Sequence, residues 1–177
     1  MITIMTSRLH RYLLGALPLP SIPPHGAAFT SATIEPAALS TFRSQLDTPG
    51  WWTMGNLFGH IADDVLHITH ASIGGYPVWR PLPLTGDDHY QLGYIDALQS
   101  TVGPHIDWTG HWITRPDAQL PTIADSSHWL QAGAGQGLFS AVHVLFAVGF
   151  FDHRLEVEGY RIVDGRIEML PVQLSVD

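Results

Sequence analysis

WTGHWITRPDAQLPTIAD, residues 108–125, is the stretch on which the fold of this chain depends. It begins with aromatic and apolar residues typical of a strand, continues through Arg115 into a polar loop, and ends at Asp125. We expect a strand over 106–112 and a short helix over 126–132 that Asp125 caps, because aspartate accepts hydrogen bonds from free N–H groups at a helix start. A strand end followed by a loop and a helix start is a common way to deliver metal ligands.

The composition of the chain excludes several classes of protein. The length of 177 residues suits one domain, and 45% hydrophobic against 14% charged residues predicts a folded core. A net charge of -8 argues against nucleic-acid binding, which needs clustered cations. With no cysteine, disulfides and thiolate metal sites are excluded. All basic residues are arginine, which reflects either a GC-rich genome or a protein that avoids modification by amine-targeting conjugation machinery.

The N-terminal region predicts a proline-rich arm over residues 1–28, followed by the domain over 29–177. Its apolar run, 12–19, is too short and too rich in proline to cross a bilayer. We therefore expect a cytoplasmic protein that does not bind membranes, with an arm that packs on the domain or on a partner.

Hydrophobic periodicity and turn residues predict a mixed α/β domain. Helices are expected over 36–47 and from Asp87 to Val102, and strands over 29–34, 154–163 and 166–176 around an Asp164-Gly165 turn. Residues 53–61 and 65–71 are interpreted as a hairpin, although a helix also fits their apolar spacing. Residues 138–151 suit a buried strand or a buried helix, and 133–137 a connector.

In this order the elements resemble the prokaryotic branch of the JAMM/MPN (Mov34-like) metallo-isopeptidases over roughly residues 29–170. The glycine-rich strand of that family, Glu-Thr-Gly-Gly-Leu-Leu-Gly, is matched by WTMGNLFG at 52–59. Its signature, His-x-His-Pro, a spacer and Ser-x-x-Asp, is matched by ITRP at 113–116 and TIAD at 122–125. The resemblance implies a mixed central sheet flanked by helices, with cytidine-deaminase-like layering.

The resemblance also implies which positions would be catalytic. In the family a glutamate activates the metal-bound water, two histidines and the aspartate bind zinc, and the serine stabilises the intermediate. The equivalent positions here are Trp52, Ile113, Arg115, Asp125 and Thr122. Only Asp125 is a ligand type, and the fixed charge of Arg115 repels a metal. We therefore expect a pseudoenzyme without a cofactor, in which Arg115 pairs with Asp125 where zinc would bind.

Inactive members of the family typically pair with active ones, so the resemblance implies a binding or scaffolding subunit. The partner would be a ubiquitin-like protein, an E1- or E2-like conjugation component, or an active paralogue. The preferred contact residues are Trp79, Arg80, Trp108, His111 and Trp112.

Three alternatives stay open. The first is an active zinc-dependent, isopeptidase-like hydrolase, with metal ligands drawn from His60, His67, His70, His111 and Asp125. The second is a helical bundle resembling the DinB-like fold, in which His143 and His153 join His60. The third is a small-molecule-binding α+β barrel resembling the NTF2-like fold.

Overall fold

The structure, a computed structural model, describes residues 7–14, 29–47, 50–74, 86–139 and 142–175. In these ranges the chain forms a mixed α/β domain of eight strands and four helices. The strands are β1 (Ser31–Ile34), β2 (Thr53–Ala62), β3 (Val65–Ala71), β4 (Asp107–Thr114), β5 (Val144–Phe151), β6 (Arg154–Val163), β7 (Arg166–Leu170) and β8 (Val172–Leu174). The helices are α1 (Arg8–Leu13), α2 (Pro36–Leu46), α3 (Asp88–Thr101) and α4 (Ile123–Ala134).

All eight strands belong to one sheet, which nearly closes on itself. The strand order is β7-β6-β5-β4-β2-β3-β1-β8, so β7 and β8 lie at opposite ends of it. Only Pro171 separates these two strands in sequence, and its carbonyl accepts a hydrogen bond from the Ala32 N–H at 2.9 Å. Proline has no N–H to donate, so the hydrogen-bond ladder of β7 with β6 ends before Pro171 and the ladder of β8 with β1 begins after it. The prediction of a single strand over 166–176 is therefore wrong, because the segment forms two strands on either side of Pro171.

Helix α2 fills the inside of this curved sheet. Its buried face belongs to a core cluster that includes apolar side chains from every strand of the sheet, among them Trp112 and Phe146. The Phe42 and Trp112 rings lie 5.2 Å apart, centroid to centroid. The other face of the sheet is covered by α1, α3 and α4, through a second cluster around Trp108, Ile113 and Tyr160. The domain thus has two cores with the sheet between them.

Three hairpins turn through consecutive residues with positive φ. Asp63 and Asp64 join β2 to β3, Asp152 and His153 join β5 to β6, and Asp164-Gly165 joins β6 to β7. Two positive φ angles are the mark of a type I′ turn, whose twist matches that of paired strands. The predicted hairpins over 53–71 and around Asp164-Gly165 are confirmed.

Other predictions are confirmed in kind and corrected in extent. The helices predicted over 36–47 and 87–102 are α2 and α3, with Asp87 as the N-cap of α3. The apolar run 138–151 contains a strand, β5, which excludes the buried-helix reading. Helix α4 begins at Ile123 rather than 126 and continues through Gly133, so the predicted connector starts later.

The predicted N-terminal arm is described only at residues 7–14. There α1 packs on the domain, with Leu9 fully buried and the Arg8 N–H donating to the Asp107 carboxylate at 2.9 Å. The boundary at residue 28 stays a prediction. Among the described helices, none combines the length and the apolar character needed to cross a bilayer.

Replacing Gly93 with alanine is expected to raise the free energy of unfolding by about 0.5–1 kcal/mol. Gly93 is exposed in the middle of α3, and a Cβ there would meet nothing within 4 Å. Gly137 is a matched control, because a Cβ there also meets nothing, but φ is +80° and alanine is strained. Thermal melts should move up for Gly93→Ala and down for Gly137→Ala. A lower midpoint for Gly93→Ala contradicts the placement of α3.

Candidate functional site

The loop between β4 and α4 is fixed on both sides. The Gly50 N–H donates to the Pro116 carbonyl at 2.9 Å, just before β2 begins. On the other side, the Phe150 N–H donates to the Ala118 carbonyl at 2.8 Å and the Leu120 N–H to the Phe150 carbonyl at 3.0 Å. The neighbouring Gly149 leaves no room for a side chain, because a Cβ would lie 2.4 Å from the backbone of this loop. The loop is thus held by backbone hydrogen bonds to the residue before β2 and to the end of β5.

Arg115 is paired with two carboxylates in this loop. Its Nη1 lies 3.4 Å from Oδ2 of Asp125, and its Nε and Nη2 donate to Asp117 at 3.1 and 3.0 Å. The predicted Arg115–Asp125 ion pair is confirmed. About a third of each partner's side chain is exposed, 32% for Arg115 and 29% for Asp125, so solvent screens the pair.

Asp125 has a different role at the helix start from the predicted one. Thr122 is the N-cap of α4, and its hydroxyl accepts a hydrogen bond from the Asp125 N–H at 3.2 Å. In return the Thr122 N–H and hydroxyl donate to Oδ2 of Asp125 at 2.9 and 2.8 Å. This reciprocal capping box satisfies free groups of the first turn. The prediction that Asp125 is the cap is therefore wrong, because it is the third residue of the helix.

The remaining family-equivalent positions are apolar. Ile113 is fully buried in the core under α1, α3 and α4, together with Leu130 of α4. Trp52 precedes β2, and its ring lies 5.7 Å from that of Trp129, one turn beyond Asp125 on α4. No zinc ligand is present at either position.

Three large apolar side chains are exposed on the two segments that flank this loop, just before β2 and at the start of α4. Trp51 is 63% exposed, Ile123 62% and Trp52 39%. Together with the half-buried Trp129, whose ring contacts that of Trp52, we call these residues the tryptophan rim. Exposed aromatic residues beside an arginine are typical of binding surfaces.

The predicted contact residues do not lie on such a surface. Trp108 and Trp112 are 1% and 0% exposed and donate their indole N–H groups to Asn56 and to the Ser72 carbonyl. His111 is also buried. Burial places these three side chains in the two cores, where a partner cannot reach them. Trp79 and Arg80 lie outside the described residues.

His111 belongs to a buried histidine pair that the sequence did not predict. Its Nδ1 lies 2.9 Å from Nε2 of His143, and the rings of Trp108 and Phe139 pack around both. Burial lowers the pKa of His111 to about 3. Burial also holds the pKa of His143 well below its usual value, with smaller effects from His111 and from Arg8 of α1. Both imidazoles are therefore neutral at physiological pH.

The alternative metal sites are separated in the fold. His60 and His67 stack across β2 and β3, whereas the Nδ1 of His70 contacts the Thr69 hydroxyl. In the described ranges, no group of three or more histidine, aspartate or glutamate side chains is placed so that it could hold a metal ion without rearrangement. The DinB-like bundle is wrong, because His143 and His153 lie at opposite ends of β5, roughly 25 Å apart at 3.3 Å per residue.

Two further features bear on small-molecule binding. An open depression of about 440 Å³ is lined by Gln119, Phe150, Asp152 and His153. The inside of the nearly closed sheet, which an NTF2-like protein would use, is filled by α2.

Comparisons with known proteins show the fold alone. No protein-family model and no curated protein matches the chain. Among solved structures, it is similar to the solution structure of protein DSY2949 from Desulfitobacterium hafniense, with a TM-score of 0.55 and 12% identity. The similarity covers 82% of this chain and 94% of that one. It supports the mixed α/β architecture.

Replacing Arg115 with alanine is expected to destabilise the domain by about 0.5–1 kcal/mol, because a partly exposed ion pair is lost. The thermal midpoint should fall by roughly 1–4 °C. Arg154, which is exposed at the start of β6, is the control, and Arg154→Ala should leave the midpoint nearly unchanged. Equal melting of wild type and Arg115→Ala would show that the pair contributes nothing to stability.

Proposed function

We propose that this protein is a catalytically inactive relative of the JAMM/MPN metallo-isopeptidases that acts as a binding subunit. One observation supports this most strongly. At the position of the second family histidine, the Arg115 guanidinium lies 3.4 Å from the carboxylate of Asp125. A fixed cation therefore neutralises the single remaining ligand-type residue, and no water is activated there.

The layout around the loop supports the same proposal. A helix lies inside a curved mixed sheet, and the family-equivalent strands, β2 and β4, are paired with Met54 opposite Ile113. Helix α4 brings Asp125 back to the end of β4. In the family the scissile bond would lie at this end of β4. Here the tryptophan rim lies on the segments next to this end.

The tryptophan rim is the proposed contact surface in place of the buried tryptophans. The partner class implied by the resemblance is a ubiquitin-like protein, an E1- or E2-like component, or an active paralogue. Trp52 and Trp129 offer a rigid aromatic face, and Arg115 adds a partly exposed cation beside it. Such a combination provides most of the binding energy in many interfaces.

Binding and cleavage experiments test the two halves of the proposal. Immobilised ubiquitin-like proteins, E2-like enzymes and JAMM/MPN enzymes from the same cell are titrated with the purified protein. We expect saturable binding to one class, weakened at least tenfold by Trp52→Ala. Phe151→Ala is the control, because Phe151 is equally apolar, 65% exposed and located at the β5–β6 turn.

Each half can fail separately. Cleavage of an isopeptide-linked ubiquitin-like dimer by the wild-type protein in zinc would overturn the inactive assignment. Absence of binding to all three classes, or equal binding by wild type and Trp52→Ala, would overturn the proposed surface.

A further inference from the structure

Three histidines gather on the surface at the end of β2 remote from the Arg115 loop. His60 and His67 are direct cross-strand partners, with ring centroids 5.2 Å apart and planes within 14° of parallel. His105, in the turn between α3 and β4, places its ring 5.7 Å from that of His60. His60 and His67 are half-buried and His105 is exposed, so solvent ions reach the cluster.

One carboxylate contributes to the electrostatics of His60. Glu35 is the N-cap of α2 but its side chain makes no capping hydrogen bond. Its N–H donates to the carbonyl of Ile68, the neighbour of His67. Its charge opposes the lowering of the His60 pKa, which burial, His67 and His105 cause. The negative charge of Glu35 therefore favours the protonated form of His60.

One nitrogen in the cluster lacks a partner. Nδ1 of His60 is buried and has no hydrogen bond. A buried polar atom without a partner costs free energy, and such atoms in folded proteins usually have a ligand, an ion or a water as partner. An imidazole whose ring lies 5.2 and 5.7 Å from two further imidazoles is suited to a cation.

We propose that His60, His67 and His105 bind a divalent transition-metal ion. Imidazole nitrogen is the preferred donor for Zn²⁺, Ni²⁺ and Cu²⁺, whereas Mg²⁺ and Ca²⁺ require oxygen donors. The His60 and His67 rings are stacked, so binding one ion requires rotation about their side-chain bonds. Cross-strand partners have Cβ atoms about 5 Å apart, within reach of one ion bound at about 2.0–2.1 Å from each nitrogen.

The consequence is a clamp between two parts of the fold. The ion would tie the β2–β3 hairpin to the turn that precedes β4. This site is far along β2 from Trp52, and it does not rest on the proposed function. A zinc effect at the histidine cluster can be distinguished from one at the Arg115 loop by substituting residues of either site.

Metal titration at pH 7.5 tests the site. We expect ZnCl2 and NiCl2 to bind the wild-type protein with one ion per chain and to raise its thermal midpoint by roughly 5–10 °C at a hundredfold excess over Kd. EDTA should reverse the shift, and MgCl2 should give none. His60→Gln and His67→Gln should each weaken binding more than tenfold. His70→Gln, on the same strand but outside the cluster, should bind like wild type.

The results that overturn the proposal are specific. No saturable binding by the wild-type protein overturns it, as does wild-type affinity in His60→Gln or His67→Gln. Wild-type affinity in His105→Gln overturns the three-histidine assignment. Replacing one histidine by glutamine removes a surface ring and leaves the backbone pairing intact. Circular dichroism of the variants should therefore match that of wild type.

Discussion

Replacing Ile113 and Arg115 with histidine is expected to create a zinc site at the end of β4. Residues two apart on a strand face the same side, and Arg115 already reaches Asp125 across 3.4 Å. Two histidines and one aspartate supply the three protein ligands that catalytic zinc requires. The double variant should be destabilised without metal, because a polar ring replaces a fully buried Ile113 side chain. Zinc should restore about 4 kcal/mol at a thousandfold excess over Kd.

The measurement is unfolding in urea with and without zinc, in a background that also carries His67→Gln. That background removes the proposed surface site, so the remaining zinc effect belongs to the engineered one. Adding Asp125→Asn should abolish most of the effect, because two histidines alone bind weakly. If zinc does not stabilise the double variant, the alignment of 113–116 with the family signature fails, and the proposed function fails with it.

Sequence patterns predicted the local parts of this fold well. The Asp164-Gly165 turn, the 53–71 hairpin and α2 follow from residue preferences over a few positions. The start of α4 was misplaced because Thr122 and Asp125 are both good capping residues. The structure uses them as a reciprocal pair, and only the direction of their hydrogen bonds distinguishes the two registers.

Long-range pairings were beyond such patterns. The sequence gives no local sign that β4 and β5 run parallel, with His111 opposite Leu145. It also hides an irregularity between Leu57 and Phe58, where the β2–β4 register shifts by one residue. That shift lets Trp108 join Ile113 in the cluster under α1, α3 and α4 and contact the His111 ring, although strict alternation would place Trp108 on the other face. Both faces of β4 are covered, so Trp108, Trp112 and His111, which were predicted to contact a partner, are buried.

The buried His111–His143 pair is expected to make the domain sensitive to acid. Each histidine binds a proton below about pH 6.5 in the unfolded chain. In the folded chain, burial lowers the pKa of His111 to about 3. Between these values the unfolded state holds more protons, so stability falls as pH falls. His111 alone should cost about 2 kcal/mol between pH 7 and 5, and His143, whose pKa is lowered in the same direction, should add to this loss.

The test compares urea unfolding of wild type and His111→Leu/His143→Leu at pH 7.5, 6.0 and 5.0. Removing both partners leaves no unpaired imidazole, so the double variant should be within about 1–2 kcal/mol of wild type at pH 7.5. Below pH 6 it should lose much less stability than wild type. His60, with a lowered pKa of its own, is present in both proteins and cancels in the comparison. His128→Gln, at an exposed position on α4, should keep the wild-type pH dependence. The same acid sensitivity in the double variant would assign the loss to groups other than this pair.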